Sequence, residues 1–197
     1  MPKLSIIIPA YNEEKRIGTT LEDYGGYFTE RLRNDVEIFV VLNGCRDHTL
    51  AVVQEYQRKF PIIHYVDIPD AIGKGGALIE GFKQAKGDFV GFVDADHATM
   101  ADAYYRLYEQ IGSCDGVIAS RWIRGSKIRK RQTLGRRFVS RGFNMLVRLL
   151  FGITVIDSQC GAKLFTQKAI TSVVNELGTT RWAFDIDLLY LLKKNGF

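Results

Sequence analysis

The sequence predicts an α/β fold: a mostly parallel central sheet with helices on both faces. Two observations predict it. Over the first 120 residues, short continuous apolar runs of strand length alternate with stretches whose apolar residues recur every three or four positions. Polar and glycine residues gather just after those runs, where an open parallel sheet binds its ligands. The length of 197 residues suits one domain with one sizeable core.

Strands are expected at Leu4–Ile8, Val36–Leu42, Ile62–Val66, Asp88–Val93 and Gly116–Ser120. Their apolar residues are continuous rather than alternating, as in strands covered on both sides. Pro9 is expected to stop the first ladder. Between strands, Leu50, Val53, Tyr56 and Phe60 predict a helix over Thr49–Phe60. Ala77, Leu78, Gly81, Phe82 and Ala85 predict another over Gly75–Ala85. After Ser120 a basic, glycine-containing loop runs to about Gly135, followed by a helix pattern over Arg136–Leu150. Asp157–Phe165 reads as irregular and Phe184–Lys194 as a final helix. The chain stops directly after that helix, and a further strand is expected beyond it.

Charge is uneven. Ten of the 27 basic residues fall between Arg121 and Arg148, with no acidic one among them; the remainder carries 17 basic against 22 acidic residues. One segment therefore makes the protein basic, and it should attract phosphates, nucleic acid or acidic lipid headgroups. No apolar run approaches the roughly 20 residues of a membrane span, and Met1-Pro2-Lys3 leads straight into a strand without a signal-peptide pattern. Cys45, Cys114 and Cys160 are odd in number and far apart, which suggests neither a zinc site nor a disulfide frame and fits a reducing cytoplasm.

Three motifs carry chemistry. Asp94-Ala95-Asp96 follows a strand; in an extended stretch, residues two apart point the same way, so both carboxylates converge on one divalent ion, Mg²⁺ or Mn²⁺. The bland alternative is a solvated turn, which the preceding strand and the α/β frame disfavour. Gly73-Lys74-Gly75-Gly76 opens a helix, where glycines admit a ligand to the backbone and the helix start favours anions. It lacks the P-loop spacing and also reads as a flexible turn with a surface lysine. Pro9-Ala10-Tyr11-Asn12-Glu13-Glu14 ends the first strand; Tyr11 could lie against a nucleobase and Glu13 accept from a base or ribose, although read alone this is a helix start. His97 adjoins the acidic motif. Cys45 and Cys160 read as small buried apolar residues.

Together, the run Ile6-Ile7-Ile8-Pro9-Ala10-Tyr11-Asn12-Glu13-Glu14, the later Gly73-Lys74-Gly75-Gly76-Ala77 and the Asp94-Ala95-Asp96 after a strand resemble the family 2 glycosyltransferases. That resemblance implies the GT-A fold, a nucleotide-sugar-binding α/β sandwich. Further runs are similar to the dolichyl-phosphate mannose and glucose synthases: Gly116–Arg121, Arg136–Asn144 and Asp157–Phe165. Arg181–Asp187 is most similar to the β-glucosyltransferase branch. The resemblance implies one domain, residues 1–120 binding a UDP- or GDP-sugar and residues 121–197 a polyprenyl or dolichyl phosphate. It implies that Pro9, Tyr11, Glu13, Asn43, Lys74, Gly75, Asp94 and Ala95 line the donor and that Asp94 and Asp96 hold the metal. Arg121, Arg136 and Ser140 match positions that grip the acceptor phosphate. Asp185 is the remaining catalytic candidate, with helix capping as its structural alternative. Asp157, Gln159 and Lys163 match an acceptor-side loop. Two positions depart from the pattern: Leu42-Asn43-Gly44-Cys45 stands where Asp-Asp-Gly-Ser is common, and Ala98 where a metal-holding Gln is common in mannose synthases, which leans toward UDP-sugars.

The Arg136–Leu150 helix pattern is basic and amphipathic, so it fits a peripheral seat on the cytoplasmic face of a membrane, or else a helix packed on the sheet with a solvated basic face. Two other readings remain in view. One keeps the fold but takes a saccharide or protein hydroxyl as acceptor, which needs Asp157 or Asp185 as base. The other is a non-catalytic nucleic-acid module, disfavoured because only Trp122, Phe138 and Phe143 interleave the basic residues; no nucleic-acid partner is expected.

Overall fold

The computed structural model describes residues 2–121, 142, 145, 147–178 and 183–197. Its strands are β1 (Leu4–Ala10), β2 (Val36–Asn43), β3 (Ile63–Ile68), β4 (Phe89–Val93), β5 (Gly116–Ile118) and β6 (Ala162–Thr166). Its helices are α1 (Ile17–Leu32), α2 (Thr49–Lys59), α3 (Gly73–Gln84), α4 (Ala101–Gln110), α5 (Gln167–Val173) and α6 (Phe184–Lys194). Residues 147–151 are also helical. The order across the sheet is β3-β2-β1-β4-β6-β5. β1 pairs in parallel with β2 and β4, and β2 with β3, whereas β6 runs antiparallel to both β4 and β5.

Two apolar layers enclose the sheet. On one face Leu4, Ile6, Ile8 and Ala10 of β1 meet Ile17, Leu21, Tyr24 and Phe28 of α1, Val53 of α2 and Tyr104 of α4. On the other, Ile7, Val41 and Phe92 meet Leu78 and Phe82 of α3, Ile170 of α5 and Phe184 and Leu188 of α6. Adjacent residues of β1 thus serve opposite cores, as the two-residue strand period requires.

Sequence and structure differ at three places. β1 continues through Pro9 to Ala10: pairing toward β4 ends at Ile7, but pairing toward β2 runs on through Pro9↔Val41 and Ala10↔Leu42. Proline therefore ends one ladder and not the other. Helices α4 and α5 carry no sequence expectation above, and α1 carries only the helix start read at Pro9–Glu14. In α1 the buried Ile17, Leu21, Tyr24 and Phe28 keep helical spacing, yet Gly25 and Gly26 interrupt it and each lowers helix propensity by about 1 kcal/mol; packing outweighs that penalty. The stretch expected to be irregular contains β6, inserted antiparallel between β4 and β5. Of the helix expected over Arg136–Leu150, only residues 142, 145 and 147–150 lie within the described part.

The insertion of β6 depends on Gly91 in β4. A Cβ there would overlap the Lys163 carbonyl oxygen and the Tyr104 hydroxyl, which donates to that same oxygen at 3.1 Å. Gly91→Ala is expected to lower the stability read from urea unfolding by about 1–3 kcal/mol. Gly26→Ala, whose Cβ would meet nothing within 4 Å, should raise it by about 0.4–1 kcal/mol.

Candidate active site at the carboxyl ends of the strands

The connections leave β1 toward β2 and β3 on one side and toward β4 on the other, so the crevice beyond β1 and β4 is the topological switch point where open α/β sheets bind ligands. Loops after β1 and β2 are clipped together there. Thr49 Oγ1 accepts from the Glu13 N–H at 2.8 Å, Asp47 from the Glu14 N–H at 3.2 Å, and Asn12 Oδ1 from the Arg46 N–H at 2.8 Å. Tyr11 is half exposed just past the end of β1. The Glu13 carboxylate is engaged by Arg16 through two bonds of 2.7 Å. Asn43 is buried at the end of β2, and its Oδ1 accepts the Ile72 N–H at 2.7 Å, so this side chain fixes the approach to α3.

α3 starts at Gly73 without a side-chain cap, and Gly75 is buried in its first turn. Lys74 in that turn sits at the end of the helix where a cation is disfavoured, but its Nζ donates to Asp94 Oδ1 at 2.5 Å. Burial works against the Lys74 charge; Asp94 and, behind it, Asp185 outweigh that effect and raise its pKa above the ordinary lysine value.

The acidic motif is a turn rather than an extended stretch. Alternation therefore does not aim its carboxylates together. Asp94 reaches Lys74, whereas Asp96 Oδ1 accepts the Ala98 N–H at 3.0 Å. Ala95 is buried in the core, and its carbonyl accepts from Thr20 Oγ1 at 2.8 Å. His97 adopts a positive φ of 56°, and its Nε2 lies 2.9 Å from Asp23 Oδ2, an oxygen that also accepts the Ala101 N–H. α1 thus holds the turn after β4 in place. Among the described residues no group of three or more His, Cys, Asp or Glu could hold a metal. Asp94 and Asp96 could hold a hard divalent ion only together with further oxygens from a ligand or water.

Below this layer is a buried ion pair that sequence reasoning did not identify. Lys163 is fully buried in β6, and its Nζ donates to Asp185 Oδ1 and to the Cys160 carbonyl, both at 2.5 Å. Asp185 is therefore the counter-ion of a buried lysine rather than a helix cap; α6 has no side-chain cap. The signal was available: a lysine inside the apolar run Ala162–Phe165 requires a carboxylate nearby. Lys163 and Lys74 both lie on the Phe92 ring, at 5.1 and 5.7 Å from its centroid. Burial pushes the Cys160 thiol up, in keeping with an apolar role.

On the far side, Asp157 is fully buried and takes the Arg121 guanidinium in a fork, Nε at 2.8 Å and Nη2 at 2.7 Å, with the Arg121 N–H at 3.1 Å. These hydrogen bonds to Asp157 raise the Arg121 pKa against the opposing effect of burial. A cavity of about 540 Å³ opens next to Asp157, lined mainly by apolar residues including Val117, Ile118, Ile153, Val155 and Phe165. Arg136 and Ser140 lie outside the described residues.

Residues 5–173 match the family model described as Glycosyl transferase family 2. The chain is 32% identical over 197 residues to dolichyl-phosphate beta-glucosyltransferase ALG5C of Trichomonas vaginalis, covering 95% of this chain and 58% of that protein. It is 31% identical to dolichyl-phosphate beta-glucosyltransferase of Homo sapiens, covering 96% and 62%. The chain thus spans about three fifths of the length of these relatives. Among solved structures it resembles glucosyl-3-phosphoglycerate synthase from Mycobacterium tuberculosis in complex with Mn²⁺, UDP-glucose and phosphoglyceric acid, with TM-score 0.70 and 18% identity over 95% of this chain and 64% of that one. The shared architecture is the GT-A fold expected from the sequence.

Replacing Lys163 by Met strands the Asp185 charge and should cost about 3–5 kcal/mol in urea unfolding. Replacing both partners, Lys163→Met with Asp185→Leu, should recover most of that loss.

Proposed function

The chain belongs to glycosyl transferase family 2, and from that premise we propose that it moves a hexose from a nucleotide sugar to a polyprenyl phosphate, with inversion and with a divalent cation. The observation that carries this reading is the Lys74–Asp94 pair at the switch point, where a carboxylate that draws a cation adjoins the uncapped start of a helix. A nucleoside diphosphate suits such a place: the helix start and Lys74 attract its charge, and Asp94 with Asp96 can share Mg²⁺ or Mn²⁺ with its oxygens. The Mn²⁺ and UDP-glucose named for the mycobacterial structure support the metal and donor class. The dolichyl phosphate in the names of the relatives supports the acceptor.

In this reading an acceptor phosphate oxygen attacks the anomeric carbon. A new C–O bond forms on one face of the sugar as the bond to the diphosphate breaks on the other, and its electron pair leaves with the nucleoside diphosphate. A bound cation would offset the charge gathering on that leaving group. Lys74 adds a second positive charge beside it, while Tyr11, Glu13 and Asn43 belong to the nucleotide side. Arg121, held in place by Asp157, brings positive charge toward the acceptor phosphate together with Arg136 and Ser140. Residues 1–120 form the donor half and residues 121–197 the acceptor half.

A phosphate nucleophile is anionic at neutral pH and needs no general base, whereas a sugar or protein hydroxyl does. Both candidate bases are committed: Asp157 to Arg121 and Asp185 to Lys163. This favours the phosphate acceptor, and the apolar cavity beside Asp157 suits the lipid attached to it.

No helix among the described residues is long and apolar enough to cross a membrane. Met145, Leu149 and Leu150 are 63%, 72% and 66% exposed, and Ile156 and Tyr190 are exposed as well. Apolar side chains beside the basic stretch Arg121–Arg148 support a peripheral seat on the cytoplasmic face of an anionic membrane.

Thermal shift with UDP- and GDP-sugars, with and without Mn²⁺ or Mg²⁺, should reveal stabilisation by one donor, about 2.7 kcal/mol when the ligand is at 100 times its Kd. Asp96→Ala should lose the metal-dependent part; a panel without effect on the wild type rejects the reading. Anionic liposomes should float the protein at low salt and release it at high salt, and absence of binding at low salt rejects the membrane seat. Polyprenyl phosphate, rather than a soluble sugar, should accept the hexose.

A further inference from the structure

The loop from Asp157 to Gly161 touches both halves of the site. At one end Asp157 holds the Arg121 fork. The Cys160 N–H returns to the Asp157 carbonyl at 3.1 Å, closing the loop, and the Cys160 carbonyl is held by buried Lys163. At the other end, Gly161 backs directly onto the Asp94 carboxylate. A Cβ built on Gly161 would overlap Asp94 Oδ2 and stand 2.5 Å from its Cγ and 3.1 Å from Oδ1. The carboxylate thus occupies the volume that a side chain at position 161 would fill, with Lys74 Nζ against its Oδ1.

The backbone does not account for this glycine. Gly161 is absent from the glycines with positive φ, so its conformation is open to alanine. It precedes β6 and interrupts no strand. What the missing Cβ provides is room for one orientation of Asp94. An aspartate rotates among a few staggered positions about its Cα–Cβ bond. A methyl at position 161 removes the one seen here, while leaving the carboxylate free to swing aside at little cost to the fold.

We infer that Gly161 is a positioning residue: by seating the Asp94 carboxylate against the Asp157–Gly161 loop, it sets how the site grips a divalent cation and the donor diphosphate. The inference rests on the functional reading above. It also ties the donor side to the acceptor side, because the loop that seats Asp94 also holds Arg121. A misplacement of about 1 Å at a reacting centre can cost 100-fold, so a displaced ligand should be felt strongly.

The test compares wild type with Gly161→Ala in two measurements that need no turnover. Thermal shift titrates Mn²⁺ in the presence of UDP-glucose and, separately, GDP-mannose; electron paramagnetic resonance counts free Mn²⁺ in the same mixtures. Gly161→Ala should melt within about 2 °C of wild type without ligand, and its half-saturating Mn²⁺ should rise by about tenfold or more, the size typical when a group that orients a metal ligand is changed. Equal Mn²⁺ half-saturation in the two proteins overturns the positioning role and leaves the functional reading standing. Wild type that responds to neither donor with Mn²⁺ overturns the functional reading and this inference with it. Should Gly161→Ala fail to fold, the double variant with Asp94→Ala should restore the melting temperature, because the overlapping carboxylate is gone; no recovery overturns the inference.

Discussion

A single ion pair, Lys74 Nζ on Asp94 Oδ1, links the crossover helix α3 to the turn after β4, the strand that follows it. Its side chains are 37% and 40% exposed, and pairs in such settings add only about 0–1 kcal/mol to stability. Its importance is therefore positional. It holds an ammonium at a helix start, against the helix dipole, and orients a carboxylate at the switch point of the sheet. The fold sets up the same geometry independently: α1 anchors the turn after β4 through Thr20 and Asp23, and Asn43 fixes the approach to α3.

Charges alternate through the layers beneath. Asp94 and Lys74 form the outer pair and Asp185 and Lys163 the buried one, with both ammoniums on the ring of Phe92. A buried pair of this kind is weak evidence for stability, since well-packed apolar residues of similar volume often do as well or better. What it does here is mechanical. Lys163 ties β6 to the Cys160 carbonyl, and through the adjoining Gly161 to the back of Asp94. Asp185, which sequence similarity offers as a catalytic residue, serves in the structure as the counter-ion that allows Lys163 to be buried.

Much of the fold was legible because parallel strands covered on both faces appear as uninterrupted apolar runs, as Ile6-Ile7-Ile8 and Val40-Val41-Leu42 do. α2, α3 and α6 were legible because their apolar residues keep helical spacing. α1 was obscured by Gly25 and Gly26; Gly25 lies where a Cβ would strike the Phe60 ring, so that glycine serves the packing of α1 rather than its propensity. β6 was obscured by Lys163, whose charge disguises an interior strand until its partner, 22 residues later in sequence, is known. The site's location at the carboxyl ends of the strands was readable from where polar residues gather. Its internal geometry was not: the turn at Ala95 and Asp96, the engagement of Glu13 by Arg16 and the fork between Arg121 and Asp157 all depend on contacts that spacing along the chain does not encode.

The most direct measurement of the central claim is an anomalous-scattering map from a crystal of this protein grown with Mn²⁺ and a nucleoside diphosphate. One strong manganese peak should lie between the Asp94 and Asp96 carboxylates, with the diphosphate oxygens completing its coordination and Lys74 beside them. A diphosphate seated elsewhere, or manganese bound away from both carboxylates, would contradict it.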